Sequence, residues 1–131
     1  MNQRKKRVFR RHEVWWTTIP DKHTERPEFS DGTKKHHPFL IISTNEITKL
    51  GLCIGVPGTS HAGEDSQWHY QVSPEMLIVG PGDRGLSIDT HLLFEQMRVV
   101  STKRLVSRAG KLHGVPRVDI EEILRTILCL D

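Results

Sequence analysis

The sequence predicts a small, mostly antiparallel β-barrel capped by an α-helix, in a single domain of mostly β with α class. Two observations predict it. Five or six short apolar or alternating runs follow one another, separated by turn residues. One amphipathic helical pattern then closes the chain. Strands do not alternate with helices, which excludes a doubly wound sheet. A length of 131 residues with 36% apolar content suits one domain with a modest core.

Taken in order, "EVWWTTI" (13–19) is rich in aromatic and β-branched residues and reads as the first strand. Residues 20–37 hold Pro, Gly, Asp and many charges, and read as a long loop of the kind that is usually functional or disordered. "FLIIS" (39–43) is apolar at consecutive positions and should be a central strand buried on both faces. "LCIGVP" (52–57) sets Leu52, Ile54 and Val56 on one side, and "TSHAGEDS" (59–66) reads as loop. "WHYQV" alternates Trp68, Tyr70 and Val72, and "MLIV" (76–79) is a short apolar run. "HLLFEQMRVV" (91–100) reads as one long strand, with Leu93, Glu95, Met97 and Val99 on one face and Phe94, Gln96 and Arg98 on the other. "STKRL" is a turn before a last strand, "VSRAGKL". In "VPRVDIEEILRTILCL", Ile120, Ile123, Leu124, Ile127 and Leu128 recur at helical spacing, Pro116 suits the first turn, and Asp119, Glu121 and Glu122 complement the helix N-terminus.

The net charge of +3 is uneven. Arg4, Lys5, Lys6, Arg7, Arg10 and Arg11 give the first twelve residues +6, which leaves −3 on the rest. Residues 1–11 therefore read as a basic, flexible tail able to attract phosphate, and residues 12–131 as the domain. No run approaches the ~20 apolar residues of a membrane span. The basic start lacks the apolar stretch of a secretory signal, so a cytoplasmic protein without membrane contact is expected. Cys53 and Cys129 sit in apolar runs and read as buried free thiols, with no Cys or His at metal-ligand spacing. No metal and no cofactor are expected.

"GPGDRG" (80–85) matches a dinucleotide fingerprint literally, but a strand-like run follows rather than a helix, so it reads as a turn. With no nucleophile elbow, P-loop or His-Glu-x-x-His, chemistry must come from residues gathered at loop mouths. The candidates are His36 and His37, Thr59 and Ser60, and Glu95 with Gln96 and Arg98. They combine an imidazole that titrates near neutrality, hydroxyls, a carboxylate and a fixed cation, a set suited to acid–base cleavage of a phosphodiester. The ordinary alternatives are solvated loop histidines, a turn or cap at Thr59-Ser60, and a Glu95 paired to Arg98 or to backbone.

The order "EVWW", a charged loop, "HPFLIIS", "IGVPGTS", "GLSIDTHLLFEQMRVVSTKRL" and "VPRVDIEEILRTILCL" resembles the MazF/PemK toxins, the ribonucleases of bacterial toxin–antitoxin pairs, over about residues 12–131. The resemblance implies an SH3-like barrel of the CcdB-like kind, usually a homodimer. It implies metal-independent, sequence-selective cleavage of single-stranded RNA by 2′-hydroxyl attack to a 2′,3′-cyclic phosphate, and neutralisation by a cognate antitoxin. Thr59 falls on the family's active-site threonine, Glu95 on an acidic position used in catalysis by some members, and Arg98 on a basic position. His37 is the main departure, since the family keeps its catalytic arginine there, as in "RPVLVIS". Three consequences are expected, in this order. His37 takes over as general acid or base; or Arg26, Lys34 or Lys35 supplies the charge, beside His36 and Ser60 in binding substrate; or the fold binds without cutting. The rival function is a non-catalytic protein of the same fold, a CcdB-like gyrase poison or an inactive relative that binds antitoxin or RNA.

Overall fold

The computed structural model of the chain describes residues 7–18, 36–60 and 68–130. Alternating side chains and turn residues give eight antiparallel strands in one curled sheet: β1 (Glu13–Thr18), β2 (His36–Ile41), β3 (Leu52–Thr59), β4 (His69–Val72), β5 (Leu77–Ile78), β6 (Thr90–Leu93), β7 (Arg98–Ser101) and β8 (Leu105–Leu112). Their order is β4-β6-β3-β2-β1-β8-β5, and β7 also pairs with β3. A single helical turn, α1 (Asn45–Thr48), precedes β3, and α2 (Val115–Ile127) covers one face.

The apolar run of β2 does what its composition demands. Phe39, Leu40 and Ile41 are fully buried between β1 and β3. Leu40 joins Val14, Val56, Leu92, Ile120 and Leu124 beneath α2, while Phe39 and Ile41 join Phe9, Trp15, Cys53, Val100 and Leu105 on the opposite face. The sheet thus has one helix-covered face and one second face carrying a smaller apolar cluster. The sequence starts β2 at Phe39; the structure starts it at His36, so both histidines and Pro38 are strand residues paired with Thr18, Thr17 and Trp16.

β3 organises the sheet. Its first half, Leu52–Gly55, pairs with β7; Gly55–Pro57 pair with β2; Gly58 and Thr59 pair with β6. Pro57 sits at the handover. Gly55 must be glycine, because a Cβ there would collide with the Phe39 ring and the Leu40 carbonyl oxygen.

The single strand expected over 91–100 is corrected. It is two strands, β6 and β7, separated by a 3-10 turn at Phe94–Gln96. Phe94 is fully buried, and its N–H donates to the Trp68 carbonyl at 3.0 Å. Turning there seats Phe94 in the core and lets the two halves pair with different parts of β3. The facial alternation across Glu95 is lost: Arg98 and Val100 share the second face, and Val99 stands exposed. Cys129 is a second correction. It lies beyond α2 at φ 56°, exposed, whereas Cys53 is fully buried. Burial pushes the Cys53 thiol up from its usual value.

Side-chain bonds tie α2 down. Tyr70 Oη donates to Asp119 Oδ2 at 2.7 Å, and burial followed by that bond pushes its pKa up to about 12. Arg11 grips Glu121 through Nη2 at 2.7 and 2.8 Å, and His12 Nε2 lies 3.1 Å from the same carboxylate. Residues 7–11, grouped with the basic tail by charge, lie against the sheet. Phe9 is buried beside Trp15 with ring centroids 4.6 Å apart, and the Arg7 guanidinium covers both rings. Residues 1–6 lie outside the described residues. The buried Glu13 carboxylate accepts from Arg108, Trp15 and the Arg10 N–H, so its charge is paired.

Candidate functional site

The site is built by strand register. β1 sets Thr17 opposite His37, and β2 and β3 pair Phe39 with Pro57, Leu40 with Val56 and Ile41 with Gly55. That β2–β3 pairing ends at Phe39 and Pro57, and His37 and Thr59 each lie two residues beyond it on the second face. A Cβ on Gly58 would lie 3.4 Å from the Pro38 Cβ, so β2 and β3 stay close at this end. On the other side of Thr59, β6 supplies His91, which in turn faces Gln71 of β4. Two stretches of a rung thus lie on the second face: Thr17 with His37 across β1 and β2, and Thr59, His91 and Gln71 across β3, β6 and β4. Directly opposed residues share a face, with Cα atoms about 4.5–5.5 Å apart.

The five differ in depth and duty. Thr17 is fully buried, and its Oγ1 donates to the Arg104 carbonyl at 2.9 Å, a structural bond. Thr59 is 5% exposed at the end of β3, and His37 and His91 are half-buried on either side of it. Gln71 is exposed and donates to Asp89 Oδ2 at 2.8 Å. A hydroxyl and imidazoles on one face can donate and accept hydrogen bonds.

The remaining expected residues lie around this rung. His36 is exposed and, one residue from His37, belongs to the other face. Ser60 follows Thr59 and is exposed. Arg98 is opposite Gly55, four residues and about 13 Å along β3 from Thr59. Its guanidinium donates to the Gln96 carbonyl at 3.2 Å and to Gln96 Oε1 at 3.3 Å. Glu95 sits in the turn after β6, four residues beyond His91, and its Oε1 lies 3.0 Å from His69 Nε2. The His69 side chain is 8% exposed and shares the second face with Gln71. Arg26, Lys34 and Lys35 lie outside the described residues. His37 and Thr59 share the second face, Arg98 lies along β3 from Thr59, and Glu95 lies in the turn after β6.

Two residues escaped the sequence reading. His91 was visible only as the first residue of a strand, and His69 only as the polar member of "WHYQV". Alternation gives each a face, but which strands neighbour Thr59 is a tertiary fact. The "GPGDRG" segment is a turn, with Gly82 and Gly85 at positive φ and the Asp83 carboxylate accepting from the Gly80 N–H at 2.9 Å. Among the described residues no three His, Cys, Asp or Glu side chains converge as a metal site, and no helix is long and apolar enough to cross a membrane.

The family described as "PemK-like, MazF-like toxin of type II toxin-antitoxin system" matches residues 10–129. A comparison with curated proteins finds no match. Among solved structures, an endoribonuclease in complex with its cognate antitoxin from a mycobacterial species is similar at 16% identity and TM-score 0.57, covering 96% of this chain and 98% of that one. An endoribonuclease from a mycobacterial species is similar at 16% identity and TM-score 0.61, over 95% and 94%. The Mycobacterium tuberculosis toxin MazF-mt6 is similar at 14% identity and TM-score 0.63, over 91% and 98%. At such identities the likeness is one of fold, and it agrees with the barrel-like sheet and C-terminal helix described above. With the family match spanning almost the whole chain, this protein belongs to the PemK-like, MazF-like toxins of type II toxin–antitoxin systems.

Proposed function

We propose that the chain is an active endoribonuclease toxin that cleaves single-stranded RNA without a metal ion. The observation that carries the reading is that His37 and Thr59 each lie two residues beyond the Phe39–Pro57 pair, an imidazole and a hydroxyl on the same face of neighbouring strands. The ribose 2′-oxygen loses its proton and bonds to phosphorus, the P–O5′ bond breaks, and the departing 5′-oxygen takes a proton. His37 handles one of these protons, and the Thr59 hydroxyl donates to a non-bridging oxygen as charge grows there. Glu95 acts from its pair with His69. Arg98, Ser60 and His36, with Arg26, Lys34 and Lys35 from the long loop, hold flanking phosphates.

A cognate antitoxin and a second copy of the chain are the proposed partners. Supporting the second copy is a groove of about 620 Å³ that Ile54, Met97, Leu124, Leu128 and Leu130 line together with Arg11, Glu121 and Arg125, on a chain that also exposes Leu52 and Val99. The cytoplasm is the proposed compartment.

A second reading is favoured by the resemblance, which implies an arginine where this chain has His37, and that suits a protein that binds without cutting. Incubating the purified protein with single-stranded RNA in chelator separates the two. The nuclease reading expects fragments with 5′-hydroxyl and 2′,3′-cyclic phosphate ends. Intact RNA, or fragments with 5′-phosphate ends, contradicts it.

A further inference from the structure

We propose that His91 is the second proton-transfer group of the reaction, working across Thr59 from His37. The inference rests on the nuclease reading and adds a residue to it. Transesterification moves two protons at once, one off the 2′-oxygen and one onto the 5′-oxygen. These oxygens sit on opposite sides of phosphorus, so two groups on opposite sides serve best. His37 alone covers one side. His91 is the residue that the β3–β6 register sets on the other side of Thr59.

The spacing fits. β2 pairs with β3 up to Pro57 and β6 pairs with it from Gly58, and residues 37 and 91 lie on these two strands either side of the space over Thr59. That gap accepts one phosphate over Thr59, with an imidazole at each end of the line of attack. Depth agrees: Thr59 is buried at the floor, and both rings are half-exposed beside it. The neighbours of His91 along β6, Thr90 and Leu92, are both buried, and His91 belongs to neither apolar cluster.

Several other titratable or charged groups face this region among the described residues. They are His37 on β2, His69 on β4 with its partner Glu95, Asp89 bonded to Gln71, and Arg98 on β7. His69 is committed to Glu95 and lies one rung further along, opposite Leu93. His91 alone meets Thr59 directly from the β6 side.

The test compares wild type, His37→Ala, His91→Ala and His91→Gln on two RNA substrates. One carries the natural linkage and the other a sulfur in place of the bridging 5′-oxygen, whose thiolate leaves without a proton. Wild type should show a bell-shaped rate profile with pH. Each single loss should lower kcat by about 10²–10⁴ and remove one limb of the bell. The sulfur substrate should restore one variant, His37→Ala or His91→Ala, to near the wild-type rate and leave the other slow. His91→Gln, which keeps the side chain's size and polarity, should behave like His91→Ala. An active wild type with an equally active His91→Ala overturns this inference alone, as does a sulfur substrate that rescues neither variant. A wild type that yields no 5′-hydroxyl ends overturns the nuclease reading and this inference with it.

Discussion

At position 37 the chain carries an imidazole where the MazF/PemK resemblance implies a guanidinium, and the two differ most in what pH does to them. Arginine stays charged throughout, while histidine changes charge near pH 6.5. His37→Arg should therefore keep RNA binding and flatten the limb of the rate profile between about pH 5.5 and 7.5, read from initial rates across that range. An unchanged limb would remove residue 37 from the proton-transfer step. Thr59→Val keeps the branched shape in a buried strand end and deletes only the hydroxyl. It should lower kcat about 10–100-fold with KM little changed, because a transition-state donor is lost rather than binding surface. His37 and Thr59 could be singled out from local sequence, as a histidine before a strand proline and a threonine after a glycine. His91 could not, because its meaning depends on a register that only the folded sheet supplies.

Among the elements, β3 carries the most consequence. It changes neighbour from β7 to β6 at Pro57 and delivers Thr59 to the rung. Gly55→Ala should cost about 1–3 kcal/mol or more in urea unfolding, since the added methyl meets the Phe39 ring and the Leu40 carbonyl. Full stability in that variant would mean that β2 and β3 pack less closely than described. β2, β3 and α2 were legible because their apolar periods are unambiguous. The break in 91–100 was not, because Phe94 satisfies strand alternation as well as it satisfies a buried turn. Glu95 was accordingly given the wrong neighbours.

α2 also sets how the fold answers to acid. Burial, then the charge of Arg117, holds the His12 imidazole below its usual value of 6.5. Burial by itself would raise the Glu121 carboxyl, but the hydrogen bond and charge of Arg11, then those of His12, outweigh it and hold it below 4.5. Both groups bind protons less readily folded than unfolded. Their stabilisation is therefore present above the unfolded values and is lost as pH falls, for His12 below about 6.5 and for Glu121 below about 4.5. Glu121→Gln should lower stability by about 1 kcal/mol or less at pH 7, given its partial exposure, and the gap to wild type should close as pH drops below 4. A gap that is constant with pH would show that the carboxylate's charge contributes nothing.

For the molecule as a whole, the account asks a curled sheet to present one catalytic rung on its second face while a groove beside α2 receives a second copy. Leu130→Lys and Val99→Lys place charges in and beside that groove, and light scattering should find them monomeric while the wild type, on this account, runs as a dimer. A wild type that stays monomeric at micromolar concentration would remove the second copy from the account.

The most direct measurement is the cleavage rate of His37→Ala on single-stranded RNA in chelator, beside its melting temperature. The account predicts a loss of at least about 100-fold in rate with the melting temperature close to wild type. A folded His37→Ala that cuts as fast as the parent would contradict it.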